Sequence, residues 1–180
     1  MPQRPNRRVA VLFSAEKIAS RIESLASEIA ASMGAEAVVV TILKGSFVFA
    51  ADLMRALHRA GMHLEVDFLT LSSYGAGTTS SGRAEIVRDL TEPVAGREVL
   101  LIDDILESGR TLSAARELLL QRGAAKVRPC LLLDKPGKRV RQIEADFVGF
   151  VCPDRFVVGY GLDYAHAYRE LPFIGTLDDL

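Results

Sequence analysis

Cysteine and histidine are scarce in this sequence, and neither residue is arranged as a redox motif or a metal site requires. The only two cysteines, Cys130 and Cys152, are not in CxxC spacing. We predict that both are free thiols in the core of a protein from a reducing compartment. The three histidines, His58, His63 and His166, also lack metal-ligand spacing, and we assign them no chemistry.

Long apolar runs and an excess of charge are also missing. No stretch approaches the roughly 18 apolar residues that a membrane helix requires. The run "VAVLF" at residues 9–13 is too short for a signal peptide. A net charge of -1 gives no reason to expect nucleic acid or an acidic membrane surface as a partner. We therefore predict a cytoplasmic protein without a nucleic-acid or membrane partner.

The length and composition are typical of one globular domain. The chain has 180 residues, 49% hydrophobic and 25% charged, with no internal repeat and no linker that would divide it. We predict a single domain over residues 1–180, with a disordered basic head at 1–8. The glycine-, serine- and threonine-rich segment 72–82 is predicted to be a mobile loop.

Apolar patterning alternates between helices and strands along most of the chain. Helices are predicted at 14–33, 46–61 and 111–123, and strands at 35–43, 63–71, 97–103 and 127–134, with a short run at 84–89. Two short strands, 146–151 and 156–160, and one short helix, 164–170, are predicted near the end. This order predicts an α/β fold with a mostly parallel sheet flanked by helices. Ligands of such sheets bind beyond the carboxyl ends of the strands.

The segment "VLLIDDILESGRTL", residues 99–112, combines acids with a turn at such a strand end. Asp103 and Asp104 directly follow buried apolar residues. One of them could instead cap the next helix while the other is solvated, and the pair alone does not separate these interpretations. The following "ESGRT" has a glycine, two hydroxyls and a helix start, which suit a phosphate monoester. Acids beside a phosphate suit sugar hydroxyls or Mg²⁺, so we predict a sugar-phosphate site.

Other candidate residues also follow strands or lie in the C-terminal region, and each has a plain structural interpretation. Lys44 and Lys135 could be solvated lysines, and the basic run "KPGKRVR" at 135–141 is predicted to be a solvated loop. Phe156 could be a core residue. Asp163 and Arg169, taken alone, are an unremarkable acid and a surface arginine.

Five segments, taken together, resemble the type I phosphoribosyltransferases, and within them the 6-oxopurine branch. The segments are "VLLIDDILESGRTL", "LKGSFVFAADL", "SSYG", "LLLDKPGKR" and "PDRFVVGYGLDYAHAYRELPFIGTL", and the similarity runs from about residue 9 to residue 177. The resemblance implies the fold of that family, with a small hood formed by terminal segments. It also implies purine salvage: Mg²⁺-dependent transfer of the 5-phosphoribosyl group from phosphoribosyl pyrophosphate to N9 of hypoxanthine or guanine.

The same resemblance implies a role for each candidate residue. Asp103 and Asp104 would bind the ribose hydroxyls and, with Asp163, Mg²⁺. The residues implied in 5'-phosphate binding are Glu107, Ser108, Gly109, Arg110 and Thr111. Those implied in pyrophosphate binding are Lys44, Gly45 and Arg169, with the Leu43–Lys44 bond in the cis form in family members. Those implied in purine binding are Lys135, at O6, Phe156, by stacking, and Val157, through its backbone. Ser73 and Tyr74 match the family's lid.

Glu107 departs from the pattern, because the family has an aspartate at this place, assigned to purine N7 as general base or hydrogen-bond partner. Ser108 replaces a threonine and keeps the hydroxyl. Glutamate keeps the charge and adds one methylene, and misplacement near 1 Å can cost about 10²-fold in rate. We expect activity to be kept, with an altered base preference.

Two alternatives and one partner are carried with this prediction. The enzyme could prefer xanthine, since base-edge discrimination rests on backbone positions. A non-catalytic regulator that senses phosphoribosyl pyrophosphate is the other alternative. Such regulators carry an added DNA-binding domain, for which 180 residues leave no room. The resemblance also implies a homodimer or homotetramer.

Overall fold

The computed structural model describes residues 8–72 and 85–177, which form two sheets and three helices. The predicted head, apart from Arg8, and the lid residues Ser73 and Tyr74 lie outside the described residues. In chain order the elements are β1 Val9–Phe13, α1 Ala15–Ser32, β2 Glu36–Ile42, α2 Phe47–Arg59, β3 His63–Ser72, β4 Glu85–Arg88, β5 Glu98–Leu106, α3 Arg110–Gln121, β6 Lys126–Asp134, β7 Phe147–Val151, β8 Val157–Val158 and β9 Ile174–Leu177.

The main sheet has six strands in the order β4-β3-β2-β5-β6-β7. Strands β3, β2, β5, β6 and β7 are parallel, and only β4 pairs antiparallel, at the β3 edge. The prediction of a mostly parallel sheet is confirmed. Its three central strands are apolar on both faces because helices cover both faces.

Successive residues of the central strands pack on opposite faces of the sheet. Val39 and Leu100 lie in a cluster with the buried residues of α1 and α2. Their neighbours Val38 and Leu101 lie in a second cluster with the buried residues of α3. This alternation follows from the two-residue period of a β-strand. The parallel pairing of β2 with β5 and of β5 with β6 brings the carboxyl ends of the three strands side by side.

The first helix forms as its sequence predicts. The hydroxyl of Ser14 accepts a hydrogen bond from the Lys17 amide (3.3 Å), which caps the amino end. Ile18, Ile22 and Ile29, at helical spacing, are all buried. The helix ends at Ser32, before the Gly34 at which the sequence predicted its end.

A second, three-stranded sheet of order β1-β9-β8 joins the two ends of the chain. Val9 pairs with Leu177, and Val157 pairs with Thr176, both antiparallel. The predicted hood of terminal segments is therefore present. Strands β1 and β9 were not predicted, because each is short and finds its partner only across the fold.

The helix predicted at 164–170 is wrong. This segment forms turns, with a bridge between Tyr164 and Ala167. Ala165, His166 and Tyr168 have positive φ angles of 51°, 65° and 76°, which a right-handed helix excludes. Tertiary contacts of the loop override its helical composition.

The structure also bears on the predictions about cysteine and about long apolar segments. Cys130 and Cys152 are both buried free thiols, as predicted. Burial raises the pKa of each thiol, so neither is a reactive thiolate near neutral pH. Among the described residues, no helix is both long and apolar enough to cross a membrane.

Candidate active site

The paired acids lie inside strand β5 rather than at its end. The sequence predicted a strand that stops at Asp103, but β5 continues to Leu106. The longer strand forms because β6 supplies partners for it: Ile105 pairs with Leu133 and Leu106 with Asp134. The prediction of the strand end is therefore wrong by three residues. The acids still lie near the carboxyl edge, since only Ile105 and Leu106 follow them in β5.

Asp103 and Asp104 are adjacent carboxylates, of which Asp103 is buried and Asp104 is partly exposed. Asp103 is only 5% exposed, and its Oδ1 accepts a hydrogen bond from the Asp104 amide (3.0 Å). Burial, together with the charge of Asp104, raises the pKa of Asp103 well above its ordinary value. Burial also raises the pKa of Asp104, against the lowering effect of its backbone hydrogen bonds and of Arg169. A ligand that donates hydrogen bonds or carries positive charge would stabilise this pair.

A glycine contact brings the turn after β2 against Asp104. An ideal Cβ built at Gly45 would lie 1.6 Å from Asp104 Oδ2, so a side chain at this position would displace the carboxylate or the turn. The preceding Leu43–Lys44 peptide bond is cis, as in the family that the sequence resembles. Gly161, with φ 97°, packs on the other side of the turn, where a Cβ would lie 2.3 Å from the Gly45 carbonyl oxygen.

Arg169 and Asp163 meet at this same turn. Arg169 Nη2 lies 2.6 Å from Asp163 Oδ1, and Nη1 donates a hydrogen bond to the Gly161 carbonyl (2.6 Å). The loop that replaces the predicted helix brings them together. The structure thus groups the candidate pyrophosphate residues: Arg169 is joined through Gly161 to Gly45, and Gly45 contacts Asp104.

The turn from Ser108 to Thr111 leads into α3. Gly109 has φ 78° and precedes the first helical residue, Arg110. A Cβ at Gly109 would lie 2.8 Å from the Arg141 carbonyl oxygen, so the segment after β6 packs tightly on the turn. Gly109 itself has no side chain to cap α3, and the Ser108 hydroxyl accepts a long hydrogen bond from the Arg110 amide (3.4 Å). Its backbone amides and the positive end of the helix dipole suit a phosphate group.

Glu107 and Lys135 form an ion pair on the opposite side of the acids. Lys135, 8% exposed, places Nζ 2.9 Å from Glu107 Oε1. Lys138 Nζ lies 3.7 Å from the same carboxylate oxygen and 2.8 Å from Asp154 Oδ1. The two candidate purine contacts, 28 positions apart in sequence, are thus adjacent. Lys138 and Asp154, which the sequence analysis did not select, complete a network of two acids and two lysines.

The basic run 135–141 is not simply a solvated loop. Arg139 donates hydrogen bonds to the carbonyls of Leu106 (2.8 Å) and Glu107 (3.1 Å) and pairs with Asp134. The amides of Val140 and Arg141 donate to the Ser108 carbonyl. The run therefore supports the end of β5, and the prediction that it is solvated is wrong for Lys135 and Arg139. The local sequence does not indicate that Arg139 would lie beside the carbonyls of Leu106 and Glu107.

Phe156 and Val157 have opposite environments. Phe156 is 42% exposed and meets the ring of Tyr164 edge-on, with ring centroids 5.6 Å apart. The alternative that it packs in the core is therefore wrong. Val157 is buried in β8, so only its backbone can face a ligand directly.

Comparison with known proteins places the chain in a family. A model of the phosphoribosyl transferase domain matches residues 9–165. This chain belongs to the phosphoribosyl transferase family. It is 46% identical over 168 residues to the hypoxanthine-guanine phosphoribosyltransferase of Bacillus subtilis, covering 93% of this chain and 92% of that protein.

Two further similarities describe this phosphoribosyltransferase. A crystal structure of a hypoxanthine phosphoribosyltransferase from Staphylococcus aureus has a TM-score of 0.87 and 44% identity, covering 93% of this chain and 90% of that chain. The bifunctional protein TilS/HprT of Listeria innocua is 49% identical over 168 residues. That match covers 93% of this chain and 26% of the Listeria protein, so the phosphoribosyltransferase spans about a quarter of its length.

The acid pair of the phosphoribosyltransferase also suits a magnesium ion. The described residues contain no group of three or more acidic, histidine or cysteine side chains that could hold a metal by themselves. Mg²⁺ is typically bound through one or two carboxylates, with waters and substrate phosphates completing six ligands. Asp103 and Asp104 supply such carboxylates, and Asp163 lies beside Arg169. The donor chemistry fits an ion that arrives with a phosphorylated substrate.

Proposed function

We propose that this phosphoribosyltransferase works in purine salvage and transfers the 5-phosphoribosyl group from phosphoribosyl pyrophosphate to N9 of hypoxanthine or guanine. The products are IMP or GMP and pyrophosphate. The observation that carries the proposal is the ion pair of Glu107 with the buried Lys135. Two residues of β5, Ile105 and Leu106, separate Glu107 from Asp104. The ion pair offers one donor and one acceptor to the edge of a base. The Bacillus subtilis relative is named for this activity, and its similarity to this chain extends over nearly the whole length of both proteins, which supports the proposal.

The Glu107–Lys135 pair accounts for a 6-oxopurine. Lys135 Nζ can donate to the purine O6, whereas the 6-amino group of adenine would oppose one donor with another. Glu107 accepts the proton on N7 as N9 attacks C1'. The exposed ring of Phe156 supplies a stacking surface, and the backbone of Val157 meets the base edge.

The ribose and its 5'-phosphate bind at β5 and α3 in this proposal. Asp103 and Asp104 accept hydrogen bonds from the ribose hydroxyls. The amides of the turn 107–111, formed by Glu107, Ser108, Gly109, Arg110 and Thr111, bind the 5'-phosphate. The helix dipole adds a favourable field for the anion. In this proposal the base and the leaving group lie on opposite sides of Asp103 and Asp104. The base is on the Glu107 side, and the leaving group is on the Gly45 side.

The leaving pyrophosphate is held at the turn after β2. Lys44, the Gly45 backbone and Arg169 bind its oxygens as the bond from C1' breaks. When bound with Asp103, Asp104 and Asp163, Mg²⁺ supplies further positive charge against the pyrophosphate. Ser73 and Tyr74, in the lid predicted from the resemblance, would exclude water from the reacting ribosyl group.

Nucleotide formation with Glu107 variants tests the proposal. The wild type is expected to use hypoxanthine and guanine with phosphoribosyl pyrophosphate and Mg²⁺, and to leave adenine unreacted. Glu107→Asp keeps the carboxylate and should stay active, whereas Glu107→Gln should be slower by about 10²-fold because it cannot take the N7 proton. The measurement is the steady-state rate with hypoxanthine, guanine, xanthine and adenine offered separately.

The same assay separates the alternatives. A wild type that prefers xanthine would overturn the assignment of the substrate but not of the reaction. If no base reacts while phosphoribosyl pyrophosphate still binds, a sensor becomes the better account. Equal rates for the Asp and Gln variants would remove Glu107 from proton transfer. A cytoplasmic location and a homodimer or homotetramer belong to this proposal as predictions.

A further inference from the structure

A partly buried hydrogen bond joins helix α2 to the hood beside the candidate pyrophosphate site. Tyr160 is 6% exposed, and its hydroxyl donates to Asp52 Oδ2 at 2.5 Å. Burial and the Asp52 carboxylate both raise the pKa of Tyr160, so the phenol stays protonated as a donor. Asp52 also pairs with Arg55 on the same helix. The hydrogen bond therefore spans 108 sequence positions.

The backbone around Tyr160 needs such a tether. Gly159, Tyr160 and Gly161 have φ angles of 94°, 51° and 97°. The left-handed region is costly for a side chain as large as tyrosine and persists only where surrounding contacts enforce it. The Tyr160 amide also donates to the Leu171 carbonyl (2.8 Å). One wall of a cavity of about 670 Å³ includes Asp52 and Tyr160, so packing alone does not fill the space between α2 and the hood.

The tether leads directly to two candidate pyrophosphate groups. Gly161, the next residue, packs against the Gly45 carbonyl so closely that a Cβ would lie 2.3 Å away. It also exchanges two hydrogen bonds with Arg169: the Gly161 amide donates to the Arg169 carbonyl (3.0 Å), and Arg169 Nη1 donates back to the Gly161 carbonyl (2.6 Å). A shift of Tyr160 would therefore move Gly161 and, with it, Arg169.

Helix α2 connects Asp52 to the turn that contains Gly45. The helix begins at Phe47, two residues after Gly45, and carries Asp52 in its second turn. The same hydrogen bond thus relates the turn after β2 to the loop that bears Arg169. Misplacement of a binding group by about 1 Å can reduce a rate about 10²-fold.

We propose that Asp52 and Tyr160 are positioning residues that hold Gly45 and Arg169 at the spacing that pyrophosphate binding requires. This inference rests on the proposed function. Neither side chain belongs to the candidate binding residues, and both act through Gly161. The pair sets the affinity for phosphoribosyl pyrophosphate and pyrophosphate, and it leaves the purine side of the site unaffected.

Steady-state kinetics of three single variants and one double variant test the inference. Tyr160→Phe keeps the buried ring and removes only the hydroxyl, and Asp52→Ala removes the acceptor. Each is expected to raise KM for phosphoribosyl pyrophosphate about tenfold and to change KM for hypoxanthine less than about twofold. Asp52→Asn keeps an acceptor oxygen and loses the Arg55 ion pair, so it should stay within about twofold of the wild type. The Asp52→Ala, Tyr160→Phe double variant should be no worse than either single variant.

A control and a second readout make the test decisive. Glu65→Ala breaks an exposed ion pair, with Arg97, away from the site, and should leave both KM values unchanged. Calorimetric binding of inorganic pyrophosphate with Mg²⁺ needs no turnover, and it should weaken in Tyr160→Phe and Asp52→Ala but not in Asp52→Asn or Glu65→Ala. Equal increases in both KM values, or additive effects in the double variant, would overturn the inference.

The two proposals fail in different ways. A wild type that forms no nucleotide overturns the proposed function, and pyrophosphate binding then still decides the role of Tyr160. A wild type that forms nucleotide, with a Tyr160→Phe variant unchanged in both readouts, overturns only the positioning role. A wild type that binds no pyrophosphate overturns both.

Discussion

Gly45→Ala is expected to lower kcat/KM for phosphoribosyl pyrophosphate by about 10²-fold. A Cβ at Gly45 would lie 1.6 Å from Asp104 Oδ2, far inside any contact distance. Either the turn or the acid must move by more than 1 Å, and each displacement alone can cost about 10²-fold. Both are candidate binding elements, so movement of either one should lower the rate. The measurement is steady-state kinetics, with the folded state checked by circular dichroism.

Two other glycines provide matched controls for this substitution. A Cβ at Gly34 would meet only the Glu36 carbonyl at 3.9 Å, so Gly34→Ala should leave kinetics and stability near those of the wild type. A Cβ at Gly149 would lie 2.6 Å from the Leu132 carbonyl, inside the β6–β7 pair. Gly149→Ala should therefore lower the melting temperature and leave the site intact. A Gly45→Ala enzyme with wild-type kinetics would contradict the assigned contact with Asp104.

Asp103→Asn is expected to abolish most activity and to stabilise the ligand-free protein. Loss of the charge should reduce kcat/KM by about 10³-fold, since removal of one group that stabilises the transition state electrostatically costs 10² to 10³-fold. The buried carboxylate is also costly when ionised. Its isosteric amide keeps an oxygen for the Asp104 amide, so the free energy of unfolding at pH 7 should rise by about 1 to 3 kcal/mol.

The pH dependence of stability determines whether Asp103→Asn raises or lowers the free energy of unfolding. The folded-state pKa of Asp103 is raised above its ordinary value of 3.8. The protonated form therefore contributes stability that is fully present below pH 3.8 and is lost as the pH rises through the folded-state pKa. Asparagine does not titrate, so the variant should match the wild type at the acid end and exceed it in stability at neutral pH.

Denaturant unfolding of both proteins without Mg²⁺, across the acid-to-neutral range, measures this difference. Asp89→Asn is the control, because the Arg122 guanidinium holds the pKa of Asp89 below its usual range. Its loss should lower stability slightly or leave it unchanged. An Asp103→Asn variant that is less stable than the wild type at pH 7 would show that the carboxylate is better compensated than its burial indicates.

Much of the fold was predictable because its signals are local. The apolar runs of β2, β5 and β6 predict buried parallel strands, and the spacing of Ile18, Ile22 and Ile29 predicts the buried face of α1. The short hood strands β1 and β9 were not predictable in this way, since neither has enough residues for a period. Their pairing depends on the two chain ends meeting.

The residues of the candidate site were predictable, but the contacts between them were not. Resemblance selected Asp103, Asp104, Glu107 and Lys135, yet nothing in the chain indicates that Glu107 and Lys135 pair. Lys138 and Asp154 were missed because exposed charges in a loop are usually solvated. The predicted helix at 164–170 failed because tertiary contacts, rather than local propensity, decide positive φ angles.

The sequence by itself determined the order of strands and helices from α1 to β7, the parallel core and the residue types at the carboxyl ends of the strands. These follow from apolar periodicity and from short motifs, which are properties of neighbouring residues. Only the tertiary structure decided that Gly161 would join Arg169 to Gly45 and that Tyr160 would reach Asp52. Such contacts cross more than 100 positions, and they depend on loop conformations that hold only when the sheet, α2 and the hood are already packed together.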